Sequence, residues 1–255
     1  MDFIHLTDPH ITPPGELLSG QDTNARFAAA IAAIARDAAR TPFAFAVISG
    51  DLVRDGEPAA YAELARMLTA LPCPVYLMLG NHDDRTAFRA AFPTVAADAG
   101  GFRQDAFATP AGRCILLDTL TPGAAHGTLC ATRLGWLTER LAEDEGPVLL
   151  FLHHPPMPVG IEAMDAIRLR DDAALWDVLA PHRARIRHMF HGHTHRVLAG
   201  SWRSIPTSSL RGTAFEVKVG AGKPAIERAA PIEYAMVRCS PEAITVNLAA
   251  AAPLA

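Results

Sequence analysis

The residues of this 255-residue chain that could do chemistry follow short apolar runs: Asp8 and His10, then Asp51, Asn81 and His82, His153, and His193 and His195. They offer two carboxylates, one amide oxygen and several imidazoles. Such a mixture of hard oxygen and borderline nitrogen donors suits divalent first-row metals, and it is too large for one ion. Asp8-x-His10 and His193-x-His195 each place two donors on one side of an extended segment, because side chains alternate with period two. Each pair could therefore grip an ion from one direction. Singly, these motifs are weak. Gly50-Asp51 suits a turn, Gly80-Asn81 ahead of His82-Asp83-Asp84 suits a helix start, and His153-His154-Pro155-Pro156 suits a packed loop. Their ordered conjunction, each after an apolar run, is what carries information.

The elements that must position these residues are legible as alternating patterns. Residues 3–6, 43–48, 75–79, 114–117, 148–152 and 186–190 form short apolar runs with β-branched or bulky members and polar punctuation, and each predicts a buried strand. Between them, residues 24–40, 58–71, 132–142 and 171–179 carry apolar side chains at helical spacing. The β–α alternation predicts an α/β domain with helices over its sheet faces, whose site lies beyond the carboxyl ends of the strands. Beyond Gly200 the runs at Ile205, 215–217, 234–237 and 244–248 predict antiparallel strands.

Composition narrows the class. Half of the residues are hydrophobic and 20% are charged, which excludes wholesale disorder. No apolar run approaches the ~18 residues of a membrane span, and the first residues show no basic region or cleavage pattern of a secretory signal. The expectation is a cytoplasmic protein with no membrane partner. A net charge of −4 argues against broad contact with nucleic acid. Cys73, Cys114, Cys130 and Cys239 are far apart and form no CxxC pair, which predicts reduced thiols.

As a five-part pattern, Asp8-Pro9-His10, Gly50-Asp51, Gly80-Asn81-His82-Asp83, His153-His154-Pro155 and Gly192-His193-Thr194-His195 resembles the calcineurin-like metallophosphoesterase superfamily. The resemblance runs from residue 4 to about residue 210. The segment His153-His154-Pro155-Pro156-Met157-Pro158-Val159-Gly160, with Met164-Asp165 after it, is similar to the class III cyclic-nucleotide phosphodiesterase branch, which includes glycerophosphodiester phosphodiesterases. The resemblance implies an α/β fold, a four-layer αββα sandwich of two mixed sheets flanked by helices. It implies one domain over residues 1–255, with 200–255 completing the second sheet and offering an interface for a homodimer or higher oligomer. It also implies two metal ions per chain, of Fe, Mn, Zn or Co. Asp8, His10 and His195 would hold one, Asn81, His153 and His193 the other, and Asp51 would bridge them. His82 would face the substrate.

That reading predicts a dinuclear-metal phosphodiesterase acting on a small-molecule diester, either a 3',5'-cyclic nucleotide or a glycerophosphodiester. Hydroxide held between the ions would attack phosphorus, and His82 would stabilise the phosphoryl oxygens or protonate the leaving alkoxide. The alternatives are a phosphomonoesterase or protein phosphatase on the same scaffold, and a non-catalytic metal-binding module. One departure concerns substrate recognition: some relatives carry a further histidine after the Gly-His-x-His motif, whereas this chain has none after His195. Phe215 stands in that stretch, as a pocket wall, a surface for stacking a base, or ordinary core. The loop over residues 157–170 is a second candidate wall. Asp83 or Asp84 either orients His82 or caps a helix, with the cap favoured.

Overall fold

The computed structural model describes residues 1–95, 97–218, 225–228 and 230–252. Its strands are β1 (Asp2–Leu6), β2 (Ala46–Ile48), β3 (Val75–Leu77), β4 (Asp105–Thr109), β5 (Gly112–Leu117), β6 (Val148–Leu152), β7 (Ile186–His191), β8 (Leu198–Trp202), β9 (Ile205–Ser209), β10 (Glu216–Lys218), β11 (Ala225–Glu227), β12 (Glu233–Cys239) and β13 (Ile244–Ala250). The helices are α1 (Thr23–Ala38), α2 (Pro58–Leu68), α3 (Arg85–Ala91), α4 (Ala131–Ala142), α5 (Glu162–Asp165) and α6 (Asp172–Leu179), followed by a 3-10 turn over Ala180–Arg185.

One sheet has the order β13-β12-β1-β2-β3 and the other β4-β5-β6-β7-β9-β8, with β10 and β11 pairing as a separate ribbon. Strands β1, β2 and β3 run parallel, as do β5, β6, β7 and β9. Antiparallel strands close the edges: β12 and β13 on the first sheet, β4 and β8 on the second. The chain beyond Gly200 thus divides between the sheets instead of only completing the second. It also departs from the antiparallel expectation at β9, which lies parallel to β7 because β8 intervenes as an edge hairpin strand.

Period-two alternation explains the four layers. In β6, Leu149 and Phe151 face the other sheet, while Val148, Leu150 and Leu152 face helices α4 and α6. In β1, Phe3 points between the sheets, and Ile4 and Leu6 meet α1 and α2 through Phe27, Ile31, Tyr61 and Leu64. The seam between the sheets is aromatic. Phe3 stacks on Phe45 at 4.8 Å and meets Phe151 and Phe190 edge-on, and Phe151 stacks on Phe190 at 4.8 Å. Such offset and edge contacts add to the burial of the rings themselves.

Local chemistry sets the helix starts. The Asp22 side chain accepts from the Ala25 amide at the start of α1, and Asp84 accepts from Ala87 at the start of α3. Pro58 opens α2, where its missing N–H costs nothing. The four cysteines are unpaired, in line with the reading of their spacing. Among the described residues no helix is long and apolar enough to cross a membrane.

Candidate metal centre

The predicted donors converge at the carboxyl ends of the central strands of both sheets. The turns after β1, β2 and β3 deliver Asp8, His10, Asp51, Asn81 and His82, and those after β6 and β7 deliver His153, His193 and His195. Two compact groups result: Asp8, His10, Asp51 and His195, and beside them His153, His154 and His193, each a set whose donor atoms lie within 4.8 Å of one another. Neither of the two paired motifs is an extended segment. Asp8, His10, Asp51, His193 and His195 all adopt positive φ, between 44° and 69°. Non-glycine residues in that region are strained and persist only where the surroundings over-determine them. The twisted backbone splits His193 from His195, so the last motif serves both groups.

Hydrogen bonds orient each donor. Asp8 Oδ2 accepts from Thr7 Oγ1 at 2.5 Å and from the His193 amide at 3.1 Å, which leaves Oδ1 buried and unpartnered. Oδ1 lies 3.3 Å from His195 Nε2. Asp51 Oδ1 accepts from the His82 amide at 2.9 Å, while Oδ2 faces His10 Nε2 at 3.6 Å and His153 Nε2 at 3.4 Å. His153 is turned by Nδ1, 2.8 Å from the Ser49 carbonyl, and His195 by Nδ1, 3.2 Å from the Phe215 carbonyl. When Nδ1–H donates to a carbonyl, Nε2 is left with its lone pair, the arrangement usual for imidazole ligands.

These features fit a metal pair. Asp8 Oδ1, Asn81 Oδ1, His153 Nε2 and His193 Nε2 are all buried without a hydrogen-bond partner, a costly state for polar atoms. His10 Nε2 and His195 Nε2 face each other at 3.1 Å. Two ligands bonded at ~2.1 Å to one ion would sit at about that separation. Burial pushes the His10 and His193 imidazoles well below their ordinary pKa and keeps them neutral. Burial works to raise the Asp51 carboxyl, but the charge of His153, whose Nε2 lies 3.4 Å from Oδ2, outweighs it and holds the group well below the carboxylate range. Burial likewise disfavours the His153 cation, yet Asp51 outweighs it and lifts that pKa to about 9.

Close approach also explains a glycine. A Cβ on Gly80 would stand 2.2 Å from Asp51 Oδ1 and 2.6 Å from His153 Nε2. His82 lies at the mouth of the site, with its ring 4.7 Å from that of His10 and its side chain 42% exposed. Its Nδ1 is 2.7 Å from the Arg54 carbonyl. Burial opposes the charged imidazole, but Asp51 and that carbonyl prevail, so His82 titrates above its ordinary value.

Three supporting arrangements escaped the sequence reading. Asp83 does not orient His82. Its carboxylate accepts from the amides of Leu52, Val53 and Gly80 and from the Tyr61 hydroxyl, bracing the Asp51 turn against the Asn81 turn. Asp118, at the end of β5, is fully buried and takes a bidentate ion pair from Arg85 at 2.7 Å. Arg103 and Leu120 add amide donors to the same carboxylate. Finally, Phe215 lies flat on His195, with centroids 4.2 Å apart and planes 5° apart. Asp118 was visible as a strand-ending carboxylate, but its partner in α3 was not. His154, a member of the second group, is turned by Nδ1, 2.7 Å from Thr119 Oγ1.

A two-sheet sandwich with this cluster at one edge defines a phosphoesterase scaffold, and the calcineurin-like phosphoesterase family model matches residues 1–197. The chain belongs to that family, an enzyme family of phosphoric ester hydrolases. It is 42% identical over 221 residues to a probable cyclic nucleotide phosphodiesterase of Rhodopseudomonas palustris, covering 85% of this chain and 80% of that one. It is 30% identical over 225 residues to the glycerophosphodiester phosphodiesterase GpdQ of Enterobacter lignolyticus, covering 85% and 79%. Among solved structures, a purple acid phosphatase from yellow lupin matches the fold at a TM-score of 0.60 and 10% identity, over 93% of this chain and 49% of the other.

Proposed function

We propose that the protein is a two-metal phosphodiesterase of small diesters, 3',5'-cyclic nucleotides or glycerophosphodiesters. Asp8, His10 and His195 hold one ion in this reading, Asn81, His153 and His193 hold the other, and Asp51 lies between them. The observation that carries the reading is the position of Asp51 Oδ2, within 3.6 Å of His10 Nε2 in one group and 3.4 Å of His153 Nε2 in the other. The names of the two relatives support a diester over a monoester substrate. The donor set of carboxylate, amide and imidazole accepts Mn, Fe, Zn or Co.

Two cations bound there would neutralise phosphate oxygens and bring the pKa of a water toward neutrality, as hydrolysis of an anionic ester requires. The chain's own residues do the rest. His82 donates Nδ1–H to the Arg54 carbonyl, which leaves Nε2 free of that bond. Asp51 and the Arg54 carbonyl favour the protonated imidazole, whose Nε2–H would be available to a phosphoryl oxygen or a departing alkoxide. Asp51 Oδ1 holds the His82 backbone and thereby couples this proton donor to the metal groups.

The test compares bis(p-nitrophenyl) phosphate with p-nitrophenyl phosphate on stripped protein reloaded with Mn, Zn or Fe, followed by cyclic AMP and a glycerophosphodiester. Metal-dependent turnover of the diester well above the monoester is the expected result. Preference for the monoester would move the assignment to a phosphatase. Two bound ions with no turnover of any ester would leave a metal-holding scaffold.

A further inference from the structure

His195 comes from the second sheet, yet its Nε2 completes the group formed by Asp8 and His10 of the first, at 3.3 Å from Asp8 Oδ1 and 3.1 Å from His10 Nε2. Strand β7 ends at His191, four residues earlier, so it does not hold this ring in place. The neighbouring chain at residue 215 does. The Phe215 carbonyl lies 3.2 Å from His195 Nδ1. The Phe215 ring covers the imidazole at 4.2 Å with an interplanar angle of 5°, and it also lies over His10 at 5.4 Å and 24°.

The segment carrying Phe215 is itself strapped down. Glu216 pairs with Arg196 at 3.1 Å and with Arg211 at 2.8 Å, and Arg211 reaches on to Glu233 of β12. Arg196 donates to the Val217 carbonyl at 2.9 Å. A Cβ on Gly212 would stand 2.5 Å from His195 Nδ1 and 2.9 Å from the Asp8 Cβ, so the backbone itself presses on both donors. Phe215 is only half-buried, and a phenylalanine needed merely for core volume would be placed deeper.

We propose that Phe215 is a positioning residue of the first metal group, acting through the rings of His195 and His10 without touching the ion. This rests on the metal reading given above. An imidazole that has given its lone pair to a cation is electron-poor, and the negative face of a benzene ring stabilises it more than it stabilises the free imidazole. Stacking also removes the rotational freedom that His195 would otherwise lose on binding. The carbonyl sets which nitrogen is free; the ring sets where that nitrogen points. Replacing the side chain leaves the carbonyl in place and isolates the second effect.

The experiment titrates metal-stripped protein with Mn and, separately, Co by calorimetry, comparing wild type, Phe215→Leu and Phe215→Tyr, with the urea midpoint of each stripped protein as a check of folding. The expected result is two binding events in wild type, one of them about tenfold weaker in Phe215→Leu with the other unchanged, and both restored in Phe215→Tyr. In the Co-loaded proteins, the visible absorption of one site alone should shift in the leucine variant. Should Phe215→Leu fail to fold, Phe215→Met removes the ring face at similar volume and carries the same expectation. Two unchanged affinities in a folded variant would overturn the inference and leave the metal reading intact. Both events weakening together, with no rescue by tyrosine, would reduce Phe215 to structural filler. Wild type that takes up no ion would overturn the metal reading and this inference with it.

Discussion

Removing Arg85 should unsettle the molecule. Arg85 spans from the start of α3, over the first sheet, to Asp118 at the end of β5 in the second. Asp118 is fully buried, and Arg85 also donates to the Leu120 carbonyl at 2.7 Å. Phe102 lies between Arg85 and Arg133, whose guanidinium carbons are 5.1 and 4.6 Å from its ring centre. Stranding one partner of a buried pair costs ~3–5 kcal/mol, because the remaining charge stays desolvated. Here two amide donors, Arg103 and Leu120, continue to solvate Asp118, which favours the lower end of that range. Losing the contact with Phe102 adds ~0.5 kcal/mol. Arg85→Ala should therefore lose ~3–4 kcal/mol in urea unfolding of the metal-free protein, or a Tm drop of ~7 °C for a chain of this size. Pairing it with Asp118→Asn makes a double-mutant cycle. The two losses should be strongly non-additive, with a coupling of ~2 kcal/mol, since the second change removes the stranded charge. A loss below ~1 kcal/mol for Arg85→Ala, or a coupling near zero, would show that the pair is solvated and that this account of the strut is wrong.

Three further outcomes follow from the site. His82→Ala should lower kcat on the diester by ~10²-fold or more with two ions still bound by elemental analysis, since it removes a proton donor and no ligand; loss of an ion would contradict its placement at the mouth. Gly80→Ala should sharply reduce metal content, because its Cβ falls 2.2 Å from Asp51 Oδ1, and full occupancy would refute that crowding. His153 supplies the pH dependence. Its folded pKa, about 9, lies above the ordinary 6.5, so its pairing with Asp51 contributes fully below pH ~6.5 and is lost as pH rises through 9. That gap corresponds to ~3 kcal/mol. The metal-free protein should lose stability over this window, while metal affinity rises as the competing proton leaves; urea midpoints and metal titrations at pH 6.5, 8 and 9.5 would check both signs.

Much of the fold was legible because it is written in alternation. The buried strands and the four longer helices were readable from period two and period 3.6, and the strand-end donors named the edge where a site would form. What escaped has identifiable causes. Helix α3 is seven residues long and buries only Phe88, too little for a periodic signal. The run at residues 43–48 counts as a strand only from Ala46, although Ala44 and Phe45 already exchange backbone hydrogen bonds with Asp2 and Ile4 of β1. Strand β4 buries no residue fully and offers no clean pattern. At the site, the residue types could be read, but the left-handed backbone that splits His193 from His195 could not, because sterics normally forbid it and only the assembled surroundings impose it. The proposed interface at residues 200–255 includes 219–224, which lie outside the described residues. Phe215 could be read only as three possibilities, since nothing local says that a phenylalanine twenty residues on will lie against His195.

The first donor group draws Asp8, His10 and Asp51 from one sheet and His195 from the other. An ion there would be a rivet as well as a reagent: it would fasten the two halves of the sandwich along the edge where the phenylalanine seam of Phe3, Phe151 and Phe190 does not reach. The body of the molecule is glued by hydrocarbon and the working edge is clamped by charge, so the two can fail separately. Chelation should open the lip of the sandwich while its interior stays shut, and a chain that exchanged its donors for inert residues would still keep its shape.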